Sequence, residues 1–160
     1  MTTSLAETFD NLRTALNFIA EYKQRLPNAD KDELQRAYTT QFHPRRVRSV
    51  LIGTGYSLRF SEVRAGSFSN TVLSLSALLA YDSQPFVVVV VRPSRVDFLL
   101  SNSTFLRKIS HSSLALRADN IKGSFNGTDI LTSYNGTENS PEHFESLFAL
   151  HSAFTWAENL

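Results

Sequence analysis

Apolar residues Leu5, Phe9, Leu12, Leu16, Ile19, Tyr22 and Leu26 recur at three- and four-residue steps, which places them on one face of an α-helix that Pro27 ends. Asn28 or Asp30 can cap a second helix, Lys31–Phe42, with Leu34, Ala37, Tyr38 and Phe42 on one face, and His43-Pro44 stops it. The N-terminus therefore predicts a helical hairpin. From Arg48 the period shifts toward two. Ser49-Val50-Leu51-Ile52 runs through Gly53-Thr54-Gly55 into residues 56–63, where apolar and polar residues alternate. That pattern predicts a β-hairpin with one wet face.

Residues 70–81 fit either a buried helix or a strand, because Val72, Leu73, Leu75, Leu78 and Leu79 suit both periods. Val87 to Val91 are five consecutive valines, β-forming and apolar on both faces, so they predict the central strand of a covered sheet. Pro93-Ser94 turns the chain and Val96–Leu100 returns as a neighbour. Residues 101–139 mix Ser, Thr, Asn and Gly with single hydrophobics. They predict ordered loops with turns at Asn126-Gly127 and Asn135-Gly136, a short helical turn at 104–110 and one strand near 124–131. The last helix is capped by Ser140, carries Pro141 at its first position and Glu142 after it, and turns Phe144, Leu147, Phe148, Leu150 and Phe154 to one side. Together these elements predict an α+β fold with an N-terminal helical hairpin, a central mostly antiparallel β-sheet and a C-terminal amphipathic helix. They form one domain over residues 1–160, and the chain stops directly after an amphipathic helix. That ending predicts the N-terminal recognition part of a longer protein, with an intact small protein as the other reading.

Composition changes this picture in two ways. With 42% hydrophobic and 19% charged residues the 160-residue chain has enough apolar material for one sizeable core, and without cysteine it has no disulfide, thiolate metal site or cysteine nucleophile. No export signal or membrane span is legible, so a cytoplasmic protein is expected, and three Asn-x-Ser/Thr tripeptides read as chance matches. The net charge of +1 conceals a segregation: residues 1–40 carry −1, residues 41–122 carry +7 and residues 123–160 carry −5.

Enzyme motifs are weak by comparison. A Mg2+-dependent nuclease of the common restriction type needs Glu-x-Lys or Asp-x-Lys on a strand. The one such tripeptide, Glu21-Tyr22-Lys23, lies inside the first helix and reads as a solvated face. His143 and His151 stand eight apart on the last helix and make at best one ligand pair. Ser110-His111-Ser112-Ser113 lacks a nucleophile elbow, and Gly53-Thr54-Gly55 reads as a hairpin turn, not a phosphate loop. No catalytic or metal residue is assigned in this chain.

Nucleic-acid contacts need Arg or Lys with short hydroxyl and amide donors for phosphate, and Arg, Asn or Gln for base edges. The basic middle supplies them: Arg107, Lys108, Ser110, His111, Ser112, Ser113, Arg117, Asn120, Lys122, Ser124 and Asn126 are candidate contacts. Arg45, Arg46 and Arg48 form a second basic loop that either grips a backbone or simply connects two elements.

The run Asn102-Ser103-Thr104-Phe105-Leu106-Arg107-Lys108-Ile109-Ser110-His111-Ser112-Ser113, continued by Leu116-Arg117-Ala118-Asp119-Asn120-Ile121-Lys122-Gly123-Ser124-Phe125-Asn126-Gly127-Thr128-Asp129-Ile130, resembles a segment in the N-terminal regions of type II restriction endonucleases. It is most similar to the BisI-like group, which cleaves GCNGC only when its cytosines are methylated. Pro141-Glu142-His143-Phe144-Glu145 fits the same pattern, which reaches more weakly back to Asn70. The resemblance implies a double-stranded DNA reader that senses 5-methylcytosine without base flipping, in an intracellular defence enzyme whose Mg2+-dependent nuclease centre lies beyond Leu160. A methyl group in the major groove needs an apolar neighbour, for which Tyr56, Phe105, Ile109, Ile121 and Phe125 are candidates, the aromatic ones reading first as core residues. Two other readings stay open. The domain is itself a divergent Mg2+-dependent nuclease using Asp97, Asp119 and Asp129, or it forms a homodimer through the Phe-rich helix at 144–154.

Overall fold

The protein is represented by a computed structural model that describes residues 4–64, 67–69, 73–74, 81–106, 124–125 and 130–153, and within these residues the fold is α+β. Helix α1, Leu5–Arg25, starts at Ser4, whose Oγ accepts the Glu7 N–H at 3.1 Å. Phe9, Leu12, Ala15, Leu16 and Ile19 are buried, while Leu5 and Leu26, at the ends of the apolar stripe, are each 48% exposed. Asp30 caps α2, Lys31–Phe42, by accepting from Glu33 N–H at 2.9 Å, and His43 closes it in the left-handed region, φ 50°, before Pro44. The two helices are braced where they meet. Tyr22 OH donates to Glu33 Oε2 at 3.0 Å, and the Lys23 ammonium donates to Ala29 O at 2.6 Å. Lys23 is 2% exposed, which corrects the solvated face expected for Glu21-Tyr22-Lys23, and burial lowers its pKa.

The main sheet is built from β1 (Arg45–Val47), β2 (Val50–Ile52), β3 (Ser57–Arg64), β4 (Ser67–Ser69), β6 (Phe86–Val91) and β7 (Val96–Leu100). The order is β1-β2-β3-β6-β7, with β4 also paired to β3; all pairs are antiparallel except β3 with β6. Valines alternate across the two faces of β6. Val87, Val89 and Val91 join Leu58, Phe60, Phe98 and Leu100 against α1, α2 and the C-terminal helix α3 (Phe144–Ala153). Val88 and Val90 join Val50, Val63, Phe86, Leu106 and Ile130 in a second apolar cluster on the other face.

That second cluster overturns the wet face expected for residues 56–63. Ser57, Arg59 and Ser61 are 0%, 8% and 2% exposed, because β3 is an internal strand covered on both sides. The Arg59 guanidinium donates to the Ser49 hydroxyl, and burial lowers its pKa. In the β2–β3 turn Gly53 packs under the Tyr56 ring, from which an added Cβ would stand 2.4 Å.

Farther along, β5 (Leu73–Ser74) and β8 (Ser124–Phe125) form a separate antiparallel pair. Of the strand expected near 124–131, the described residues are Ser124–Phe125 in β8, Ile130, which forms a bridge with Leu106, and Leu131; residues 126–129 lie outside them. Where a helical turn is expected at 104–110, Ser103–Phe105 is a 3-10 turn and Leu106 is extended, while 107–110 lie outside the described residues. Asn135 and Gly136, φ 50° and 80°, turn a hairpin of β9 (Ser133–Tyr134) and β10 (Thr137–Glu138). Pro141–His143 is a 3-10 turn leading into α3; Ser140 holds its N-cap position with Pro141 first in the turn, but makes no side-chain cap bond, its hydroxyl donating to Glu142 Oε1 at 3.1 Å. Phe144, Leu147 and Phe148 are buried as expected, but Leu150 is 44% exposed and His151 takes the inward position. Phe154 lies outside the described residues, as does most of 70–81. Among the described residues no helix is long and apolar enough to cross a membrane.

The Tyr38 and Tyr56 hydroxyls meet at 2.9 Å in the core between α2 and the sheet, and burial raises the pKa of both phenols. Each is the other's hydrogen-bond partner. Tyr38→Phe is expected to lower unfolding free energy by about 1–3 kcal/mol, the cost of leaving a buried donor unsatisfied, measured as a shift in urea midpoint with unchanged m-value.

Candidate nucleic-acid interface

The basic stretch after α2 is a strand. With His43 in the left-handed region and Pro44 fixing the next φ, the chain leaves the helix extended and pairs antiparallel with β2, Arg45 opposite Ile52 and Val47 opposite Val50. Arg48, φ 56°, lies in the turn between β1 and β2, and the Arg46 guanidinium donates from Nε to its carbonyl at 2.8 Å. Arg45, Arg46 and Arg48 are all exposed. Because β1 ends the sheet order, the three cations share one two-stranded ribbon at the border of the sheet.

The other candidates fare differently. Tyr56 and Phe105 are 3% and 0% exposed, the first bonded to Tyr38 and the second edge-on to Tyr134 at 5.4 Å, so burial keeps both from reaching a duplex in this conformation. Ser124 and Phe125 sit in β8. Arg107, Lys108, Ile109, Ser110, His111, Ser112, Ser113, Arg117, Asn120, Ile121, Lys122 and Asn126 lie outside the described residues, as do Asp119 and Asp129. Asp97, the described member of the alternative nuclease set, is held by Arg92 at 2.6 Å and Arg95 at 3.3 Å.

A second polar grouping had no linear signature. The Asp82 carboxylate accepts from Ser103 N–H at 2.9 Å, from Asn102 Nδ2 at 3.1 Å and from the Ser103 hydroxyl. Asn102, fully buried, also accepts the Phe86 N–H at 3.0 Å. His151 Nε2 lies 2.8 Å from Asp82 O, so that nitrogen carries the proton and Nδ1 accepts from the Thr104 hydroxyl at 2.6 Å. Hydroxyl, imidazole and carboxylate are thus together, but Asp82 Oδ1 approaches the same nitrogen, at 3.4 Å, that the backbone carbonyl already engages. The arrangement fastens α3 to the loop before β6 and to the turn after β7. His143 is elsewhere, its Nδ1 donating to Glu138 O at 2.9 Å, so the two histidines do not converge.

No family model, curated protein or solved structure matches the chain.

Among the described residues no three His, Asp or Glu side chains are grouped to hold a metal ion, and no step through Mg2+ is assigned to them. The described chemistry is that of exposed guanidinium on one border and a satisfied polar lock inside. Asp82→Ala strands the Ser103 N–H and hydroxyl, while Asn102 Nδ2 keeps the Gln84 and Asp82 carbonyls, and is expected to cost about 3 kcal/mol of stability; Asp82→Asn, which keeps an acceptor, costs less, and chemical denaturation of the two variants measures the difference.

Proposed function

We propose that this chain is a double-stranded DNA-binding domain and that it serves a methylation-dependent restriction endonuclease as the part that senses 5-methylcytosine in a GCNGC-like site without base flipping. The observation that carries the binding reading is the ribbon of β1 and β2, which presents Arg45, Arg46 and Arg48 to solvent together. A two-stranded ribbon fits the major groove, and guanidinium pairs with phosphate or with guanine. The +7 charge of residues 41–122, which include this ribbon, extends the same reading to the basic run at 107–122. The methyl-sensing part rests on the resemblance of residues 102–130 and on the apolar candidates Ile109 and Ile121 within them.

Mobility shifts with methylated and unmethylated GCNGC duplexes test both parts. Affinity should fall steeply with salt, and Arg45→Ala, Arg46→Ala and Arg48→Ala combined should flatten the log–log salt slope by about 0.9 for each phosphate no longer neutralised. Methylation should tighten binding about fourfold per methyl buried, from roughly 0.8 kcal/mol each. Equal binding to both duplexes removes methyl sensing, and an unchanged slope in the triple variant removes the ribbon.

A further inference from the structure

The opposite border of the sheet offers a different surface. The Pro93-Ser94 turn is closed by Arg92 N–H donating to Arg95 O at 2.9 Å, and at the other end of β7 Ser101 N–H donates to Phe86 O at 2.7 Å. Antiparallel alternation between these points turns the N–H and C=O of Asp97 and Leu99 toward β6, and those of Val96, Phe98 and Leu100 away from it. The outward groups of Leu100 are taken. Asn139 Oδ1 accepts its N–H at 2.9 Å and Asn139 Nδ2 donates to its carbonyl at 3.0 Å, so one carboxamide stands where a further strand would pair. Among the described residues nothing meets the outward groups of Val96 and Phe98.

Those groups face a groove of about 720 Å³. Val96, Phe98 and Ile130 give it apolar lining, and Thr132 and Glu138 polar lining. At the turn end two guanidiniums, Arg92 and the 66% exposed Arg95, share the single carboxylate of Asp97, leaving one cation uncompensated among the described residues. Glu138 precedes Asn139, which marks the other end. Backbone donors and acceptors in a row select an extended polypeptide, and the charge at each end selects its direction.

We propose that the outer edge of β7 is a docking site for an extended segment of a partner protein, added as a further strand, with an acidic residue beside Arg95 and apolar side chains against Phe98 and Ile130. Asn139 supplies the first rung and the partner supplies the next two.

Amide hydrogen exchange followed by NMR tests this on the whole chain. In the free protein the Val96 and Phe98 amides should exchange fast while Asp97 and Leu99 are protected. The probes are two seven-residue peptides, Lys-Val-Thr-Val-Thr-Val-Glu and its reverse, one for each strand direction. One of them should slow Val96 and Phe98 exchange saturably; N-methylation of its alternate amides, or Arg95→Glu in the protein, should weaken it at least about tenfold. Val96→Pro should do the same while leaving the fold intact, since that N–H is not in the ladder. The proposal is overturned if Val96 and Phe98 are protected in the free protein at every concentration, which means the chain fills its own groove. Protection that grows with protein concentration alone assigns the edge to a second copy and overturns the heterologous partner. Failure of both peptides to slow exchange at about 1 mM, or binding indifferent to N-methylation, also overturns it.

Discussion

Covering a strand of valines on both faces is the constraint from which the remaining architecture follows. Each of Val87 to Val91 is at most 1% exposed, and full burial of such a side chain contributes about 1.5–3 kcal/mol. One face is closed by α1, α2 and α3, and the other by Val50, Val63, Leu106 and Ile130. A neighbour of such a strand shares its environment, so Ser57 to Ser61 of β3 are buried on both faces although five of the strand's eight residues are polar. Ser57, Arg59 and Ser61 are carried inside by position, not by hydrophobicity. Arg59 keeps a hydroxyl partner in Ser49, which offsets part of the desolvation that lowers its pKa.

The features that were legible in the sequence were local ones. Helix α2 was bounded closely because its cap, Asn28 or Asp30 in the sequence and Asp30 in the structure, and its His43-Pro44 stop both act within one turn. The valine strand, its return through Pro93-Ser94 and the Asn135-Gly136 turn are likewise written in neighbouring residues. What escaped depends on partners far along the chain. Alternation in residues 56–63 suggests a wet face only if nothing covers it, and the parallel pairing of β3 with β6 joins strands separated by more than twenty residues. Asp82 and His151 are 69 positions apart, so no motif announces them. In the candidate interface, the exposure of Arg45, Arg46 and Arg48 followed from their charge. Tyr56 and Phe105 were ambiguous because an aromatic residue is written the same way whether it stacks on a ligand or fills a core.

The two borders of the sheet are finished by opposite means. At β1 exposed arginines make edge-to-edge pairing with another chain electrostatically costly. At β7 the edge is closed at Leu100 by a side-chain amide and bordered farther along by a groove. A charged border repels copies of itself, whereas a border with unused backbone groups selects for extended chain.

The lock at Asp82 also bears on the order in which the molecule assembles. Its members come from the loop before β6, the turn after β7 and the last described helix, so it can close only when the β6–β7 hairpin has formed and α3 has arrived. Contacts of such long sequence separation are completed late on a folding pathway, after local hairpins and helices. Late contacts govern how fast a native state opens more than how fast it forms. On that ordering, the bonds of Asp82, Thr104 and His151 bear on the lifetime of the folded state more than on the rate at which it forms.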